Sequence, residues 1–222
     1  MNRFDELLAE FRAVLGGRAL DIMLPPLAFL LVNVLWGLTA AMATALVLAA
    51  LLGVFRWQRG DPLRFALGGA AGVLGALGLT WLLGRAEGFF LPGIVSTALT
   101  ALLALGSLLT RMPLTAWSSH LARRWPRDWY AHPQVRPAYA ETTALWALYF
   151  GVKLLWQAAL YRAAAADTLA WVQALTGWPA LLLLLAVTYL YGSWRLSQLG
   201  GPAVEEFQNN LPPPWQGQQK GF

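Results

Sequence analysis

The chain of 222 residues contains no cysteine, which excludes disulfides, thiolate metal sites and cysteine nucleophiles. Charge is scarce too. Only 12% of residues are Asp, Glu, Lys or Arg, about half of what a soluble domain carries. From Ile22 to Phe55 no residue is charged. The two histidines, His120 and His132, fall in a polar stretch, so no apolar segment offers an imidazole to haem or pigment. No Asp or Glu lies deep in an apolar segment, which argues against proton or sodium coupling. Glu141 comes nearest, in the first turn of one. No phosphate-cradling or dinucleotide glycine pattern occurs in the right context. Ser118-Ser119-His120 lacks an acid and an oxyanion hole. Asp128 and His132 form a two-ligand pair followed at once by Pro133. The sequence thus asks for no metal and no cofactor, and displays no catalytic residue.

What the chain has instead is apolar bulk. Hydrophobic residues make up 58% and there are 12 tryptophans, rings suited to membrane interfaces where one end is apolar and the N–H needs a partner. The pattern predicts an all-α fold, a polytopic membrane bundle of about six transmembrane helices in three hairpins with amphipathic interfacial helices. A single membrane domain covers 1–198. Its spans are 22–36, 38–55, 63–83, 92–110, 138–161 and 169–194, each read against the ~20 residues a crossing needs.

Local signals set the boundaries. Residues 1–15 place Phe4, Leu7, Leu8, Phe11, Val14 and Leu15 on one face, an amphipathic helix rather than a signal peptide. Trp36-Gly37 is the turn between the first two spans. Asp61 and Pro62 cap the third. The third span's glycines, Gly68, Gly69, Gly72, Gly75 and Gly78, predict a tight helix–helix seam. Residues 112–126 form a second interfacial helix, with Trp117, Trp125, Arg123 and Arg124 toward lipid phosphates. Trp178-Pro179 breaks or kinks the sixth segment. The tail, 199–222, is polar and Pro/Gln-rich, and should lack fixed structure by itself.

Arginine sets the orientation. Thirteen of sixteen basic residues fall before the first span, in the second and fourth loops, and after the last span. Arg85 and Arg162 lie on the other side, and Lys153 lies inside a span. By the positive-inside rule both termini are cytoplasmic, in a bacterial cytoplasmic (inner) membrane. The net charge of +5 is read as basic loops facing an anionic inner leaflet, and not as a nucleic-acid footprint.

One polar face stands out. Lys153 is the charged residue well inside a span, with Tyr149 and Gln157 one turn away on either side. With Asn33 they line a candidate polar site whose mouth holds Arg85 and Glu87. The competing reading is that Lys153 snorkels outward or pairs with Glu87 to fix helix packing. Gly84, Gly88 and Gly93 imply a tight backbone path in that loop, with Phe89 and Phe90 as interfacial anchors.

A resemblance rests on these residues. Gly16-Gly17-Arg18 with Asp21, Leu24-Pro25-Pro26, Asn33 and Arg59-Gly60 carry its first part. The run from Gly84 to Gly93, Arg111-Met112-Pro113, Tyr139 and Leu145-Trp146 carry the rest. Over roughly Gly16 to Trp194 the chain resembles a bacterial membrane-protein family of unknown function, common in actinobacteria. That family's pattern has arginine where this chain has Lys153. A more distant likeness, in layout only, is to intracellular-septation-type membrane proteins. The resemblance implies several spans and supplies no activity.

Three function classes follow. The preferred one is a non-enzymatic accessory, scaffold or assembly protein, with a protein partner or a second copy of itself. The second is an anion or small-solute transporter or channel using the Lys153 face. A membrane enzyme ranks last, for want of paired acids, bases or nucleophiles.

Overall fold

The computed structural model describes residues 28–29, 31–33, 35–58, 63–218 and 221–222, and of residues 38, 56–57, 63–70 and 178 the backbone alone. The amphipathic helix expected at 1–15 lies outside them. Every regular element among the described residues is helical. In chain order they are α1 Leu38–Gln58, α2 Leu63–Leu83, a 3₁₀ turn Ala86–Phe90, α3 Leu91–Leu108, α4 Leu114–Arg123 and α5 Arg127–Tyr130. Then come α6 Arg136–Arg162, α7 Ala166–Leu175, α8 Trp178–Leu199 and α9 Val204–Gln208. Among the described residues three helical runs are long and apolar enough to cross a membrane: Ala86–Leu108, Arg136–Arg162 and Ala166–Leu199. Shorter apolar stretches run from Thr39 to Phe55 and from Ala71 to Leu83.

The chain divides into two compact units, Met1–Ser96 with Leu155–Leu182, and Thr97–Leu154 with Leu183–Phe222. In the first, Gly37 adopts φ +82°, a left-handed conformation that side chains resist. It ends the preceding helical residues and α1 begins at once, as the Trp36-Gly37 turn predicts. α1 packs on α2. Of the five glycines expected at this seam, Gly68 and Gly69 are described by backbone alone. Gly72, Gly75 and Gly78 have no described atom within 4 Å of where a methyl group would sit. Among the described side chains the buried ones are Ala41, Ala45 and Ala49, spaced one turn apart on α1, and Ala76, Leu77 and Thr80 on α2. The close approach of helices uses alanine, which costs less helix propensity than glycine.

The turn after α2 is also tighter than an interfacial anchor requires. Gly84 has φ +62°. Gly88 lies so close to α2 that a Cβ would sit 3.0 Å from the Leu79 carbonyl oxygen and the Thr80 Cα. Phe89 and Phe90 are buried, which corrects the reading of them as interfacial anchors. Phe29 stacks on Phe89 at 4.2 Å and meets Phe90 edge-on at 6.1 Å. The last apolar segment is two helices, parted at Thr176-Gly177, with Pro179 in the first turn of α8 where its missing N–H costs nothing.

In the second unit α4 is fastened to its neighbours by hydroxyls. Its N-cap residue is Pro113, which has no capping oxygen. Ser107 Oγ accepts the Leu114 N–H at 2.9 Å and Thr143 Oγ1 accepts the Thr115 N–H at 3.2 Å. Thr115 Oγ1 donates to the Tyr139 carbonyl at 2.8 Å. Its one proton is then used, so Thr143, 2.8 Å away, donates to it. Arg136 caps the end of α3, donating to the carbonyls of Leu108 at 3.1 Å and Thr110 at 2.8 Å. A core of Trp129, Tyr130, Val135, Ala138, Tyr139 and Leu196 fills the space beside these contacts.

The two kinds of glycine behave differently on substitution. Gly88→Ala should destabilise by about 1–3 kcal/mol, because backbone must shift to admit the methyl. Gly75→Ala should be neutral or stabilising by up to about 1 kcal/mol, since it gains helix propensity in open space. Thermal unfolding of both variants in one detergent checks this; equal effects would contradict the packing at Gly88.

Candidate functional site

The polar face on α6 is laid out as the helix repeat dictates. Tyr149, Lys153 and Gln157 sit one turn apart. Tyr149 and Lys153 are half-buried. Gln157 is 1% exposed, and among the described residues its side-chain oxygen, Oε1, accepts no hydrogen bond. The six residues divide between the two units: Tyr149 and Lys153 belong to one, Gln157, Asn33, Arg85 and Glu87 to the other. Within the latter, Arg85 opens the 3₁₀ turn and reaches Tyr161, its Nη2 3.4 Å from the hydroxyl and its guanidinium 5.4 Å from the ring centre. Glu87 is buried in the same turn. Asn33 contributes its carbonyl, which accepts the Gly37 N–H at 3.0 Å and closes a helix end.

The basic residues near α4 form a second arrangement. The helix buries Thr115 and Ala116 and turns Trp117 and Leu121 outward. Trp117 carries the Arg127 guanidinium 4.9 Å from its ring centre, and Trp125 carries that of Arg123 at the same distance. A cation over an indole face is held by the ring quadrupole. Arg127 Nε also donates to His120 Nε2 at 3.3 Å. That nitrogen therefore accepts, and the His120 Nδ1–H donates to the Trp125 carbonyl at 2.6 Å. Arg124 takes a left-handed backbone, φ +60°, at the helix end. Tyr130, whose hydroxyl donates to Ser119 at 3.1 Å, has its pKa raised by burial, against the opposing pull of Ser119 and Arg123.

A third arrangement was not visible in the sequence. The described residues after Leu199 are ordered, and what holds them is their own chain. Gly200, at φ +60°, ends α8. A Cβ on Gly201 would sit 2.8 Å from the Gln134 carbonyl oxygen, and Pro202 accepts the Trp129 indole N–H at 2.8 Å. Phe222 stacks on Tyr139 at 4.2 Å and fills the space a side chain would need at Gly192. Glu206 gathers the segment between. Its carboxylate accepts the N–H groups of Ala203 at 2.7 Å, Gln216 at 2.8 Å and Gly217 at 3.3 Å. A cleft of about 290 Å³ beside it is lined by Trp125, Val204, Glu205, Glu206, Gln216 and Gln218. In the same unit, Arg195 and Glu141 form a two-point ion pair at 2.8 and 2.9 Å, and Tyr191 donates to the same carboxylate at 2.7 Å.

These contacts escape sequence reading for a plain reason. Glu206 stands three residues after Ala203, the right spacing for half of a capping box, but alanine lacks the oxygen that makes the pattern recognisable. Arg195 and Glu141 are 54 residues apart, so no local spacing links them. Among the described residues no group of three or more His, Asp or Glu gathers as metal ligands.

The chain belongs to the family described as protein of unknown function (DUF3159), whose model matches residues 15–194. No curated protein and no solved structure matches it. The matched region stops short of the ordered tail.

The Glu206 clamp has a pH signature. The N–H groups of Gln216 and then Ala203 hold its carboxyl below the ordinary 4.5. A carboxyl with a lowered folded-state pKa stabilises fully above its unfolded value and loses that contribution as pH falls through the folded one. Residues 203–218 should therefore resist protease at neutral pH and become cleavable well below pH 4.5. Glu206→Gln should make them cleavable at neutral pH too. A tail equally protected at both pH values, or in both proteins, would contradict the clamp.

Proposed function

We propose that this chain is a six-span protein of the bacterial cytoplasmic membrane, both termini inside, that works without catalysis as an accessory or assembly subunit. Length and charge support six spans. α1 and α2 each run 21 residues, about 31 Å of helix, which matches the hydrocarbon core of a bilayer. On this reading the sequence stretch 22–36 is the first crossing, and α1 and α2 stand beside the three longest runs. The alternation of arginine between loops supports the orientation.

The observation that carries the accessory reading is where specific packing concentrates. The buried aromatic cluster, the hydroxyl network at Thr115 and the Glu206 clamp all belong to α4, α5, the ends of α6 and α8, and the tail. The second unit thus packs its polar connections into a platform. A platform of this kind suits steady contact with another protein of the membrane. Reporter fusions in successive loops should alternate in sidedness, with the Arg123-Arg124 region inside. Mild extraction should recover a partner with the full chain and lose it when residues 203–222 are deleted. A protein that is monodisperse, partner-free and stabilised by a small solute would count against the reading.

A second reading has one observation in its favour. The Gln157 oxygen, one turn from Lys153 on an apolar helix and without a hydrogen-bond partner among the described residues, is a group that water or a solute would satisfy. If anions or neutral solutes pass along this face, Lys153→Met should abolish flux in proteoliposomes while the protein stays folded. Unchanged flux would remove the site.

A further inference from the structure

The basic edge of α4 is more specific than a general attraction to an anionic leaflet. α4 is tied by Thr115 to residues 139–143 of α6, within the first two turns of a helix long enough to cross the membrane. It lies, therefore, within roughly 10 Å of that helix's start, the depth of headgroups and upper acyl chains. At this level the chain exposes apolar side chains that water does not favour: Leu109 is 92% and Leu121 68% exposed. In the stretch that follows Leu121 two guanidiniums lie over indole rings, Arg127 on Trp117 and Arg123 on Trp125. A planar guanidinium already laid flat on a ring has little rotamer freedom left to lose when it meets a phosphate.

We infer that Arg123 and Arg127, held on Trp125 and Trp117, form a binding site for the phosphate of an anionic phospholipid whose acyl chains lie against Leu109 and Leu121. Charge selects the ligand. Arg123, Arg124 and Arg127 lie in this stretch, with Asp128 as its acid. Apolar exposure selects the source, since a free phosphate ion gains nothing from two uncovered leucines. Soluble phosphoproteins are disfavoured for the same reason. His120 is a positioning residue: it accepts from Arg127 and, through the Trp125 carbonyl, joins the two halves of the site.

The inference rests on the reading of α4 as lying at the membrane surface, and the test separates the two. The full chain, purified in mild detergent, is titrated with short-chain phosphatidylglycerol, short-chain phosphatidylcholine or inorganic phosphate, and bound lipid is counted by native mass spectrometry. Saturable binding of phosphatidylglycerol is expected, with phosphatidylcholine much weaker and inorganic phosphate unable to compete at equal concentration. Arg123→Gln with Arg127→Gln should weaken phosphatidylglycerol on the order of 25-fold, at about fivefold per arginine near a lipid surface. Arg162→Gln, the loss of a charge elsewhere, should leave it unchanged. Should the double variant misfold, Arg127→Lys keeps the charge, gives up the flat stack and should still weaken binding severalfold. Equal binding of both lipids, competition by inorganic phosphate, or full binding by the arginine variants would overturn the site. If loop fusions still report six spans in that case, only the site is lost.

Discussion

The hydroxyl of Thr115 lies at the centre of the second unit. It is buried, it donates to the Tyr139 carbonyl, and it accepts from Thr143. A buried hydroxyl without partners would be costly by about 1–3 kcal/mol, so α4 cannot slide or rotate on α6 without leaving polar groups unmet. Because Pro113 offers no capping oxygen, the first N–H groups of α4 are also satisfied by Ser107 and Thr143 from neighbouring elements. Those bonds determine which face of α4 is hidden. Trp117 and Leu121 turn outward as a consequence, and the arginines that follow take their places over the indole rings.

The same end of the molecule explains why a Pro- and Gln-rich tail is ordered. Such a segment buries too little apolar surface to fold alone. Here Tyr139 and Gly192 provide a slot for Phe222, Trp129 binds Pro202, and a carboxylate replaces the missing secondary structure by collecting three backbone N–H groups. Each contact is small. Together they satisfy the backbone of a segment that would otherwise need water.

Much of the helical layout could be read in advance, because lipid imposes simple rules. Uncharged stretches of sufficient length marked helices, Gly37 marked a turn, and Trp178-Pro179 marked a break close to where the chain parts at Thr176-Gly177. The rules say less about which small residues touch. Glycine spacing on α2 suggested a seam that Ala41, Ala45 and Ala49 occupy on α1. Phe89 and Phe90 looked like interfacial rings because they flank a polar loop, yet Phe29 draws them into the core. Of the polar candidates, the spacing of Tyr149, Lys153 and Gln157 was legible from helix periodicity alone. The Arg–Trp stacks and the Glu206 clamp were not, since they depend on side-chain reach across turns.

The depth of α4 is the claim that the rest presupposes. The chain's lack of cysteine makes it directly measurable. Leu121→Cys, carrying a fluorophore in nanodiscs, should be quenched by lipids bearing a nitroxide near the headgroup, and should be shielded from an aqueous quencher. A label at 121 that is quenched from water and untouched by the lipid nitroxide would place α4 away from the membrane surface and contradict the account.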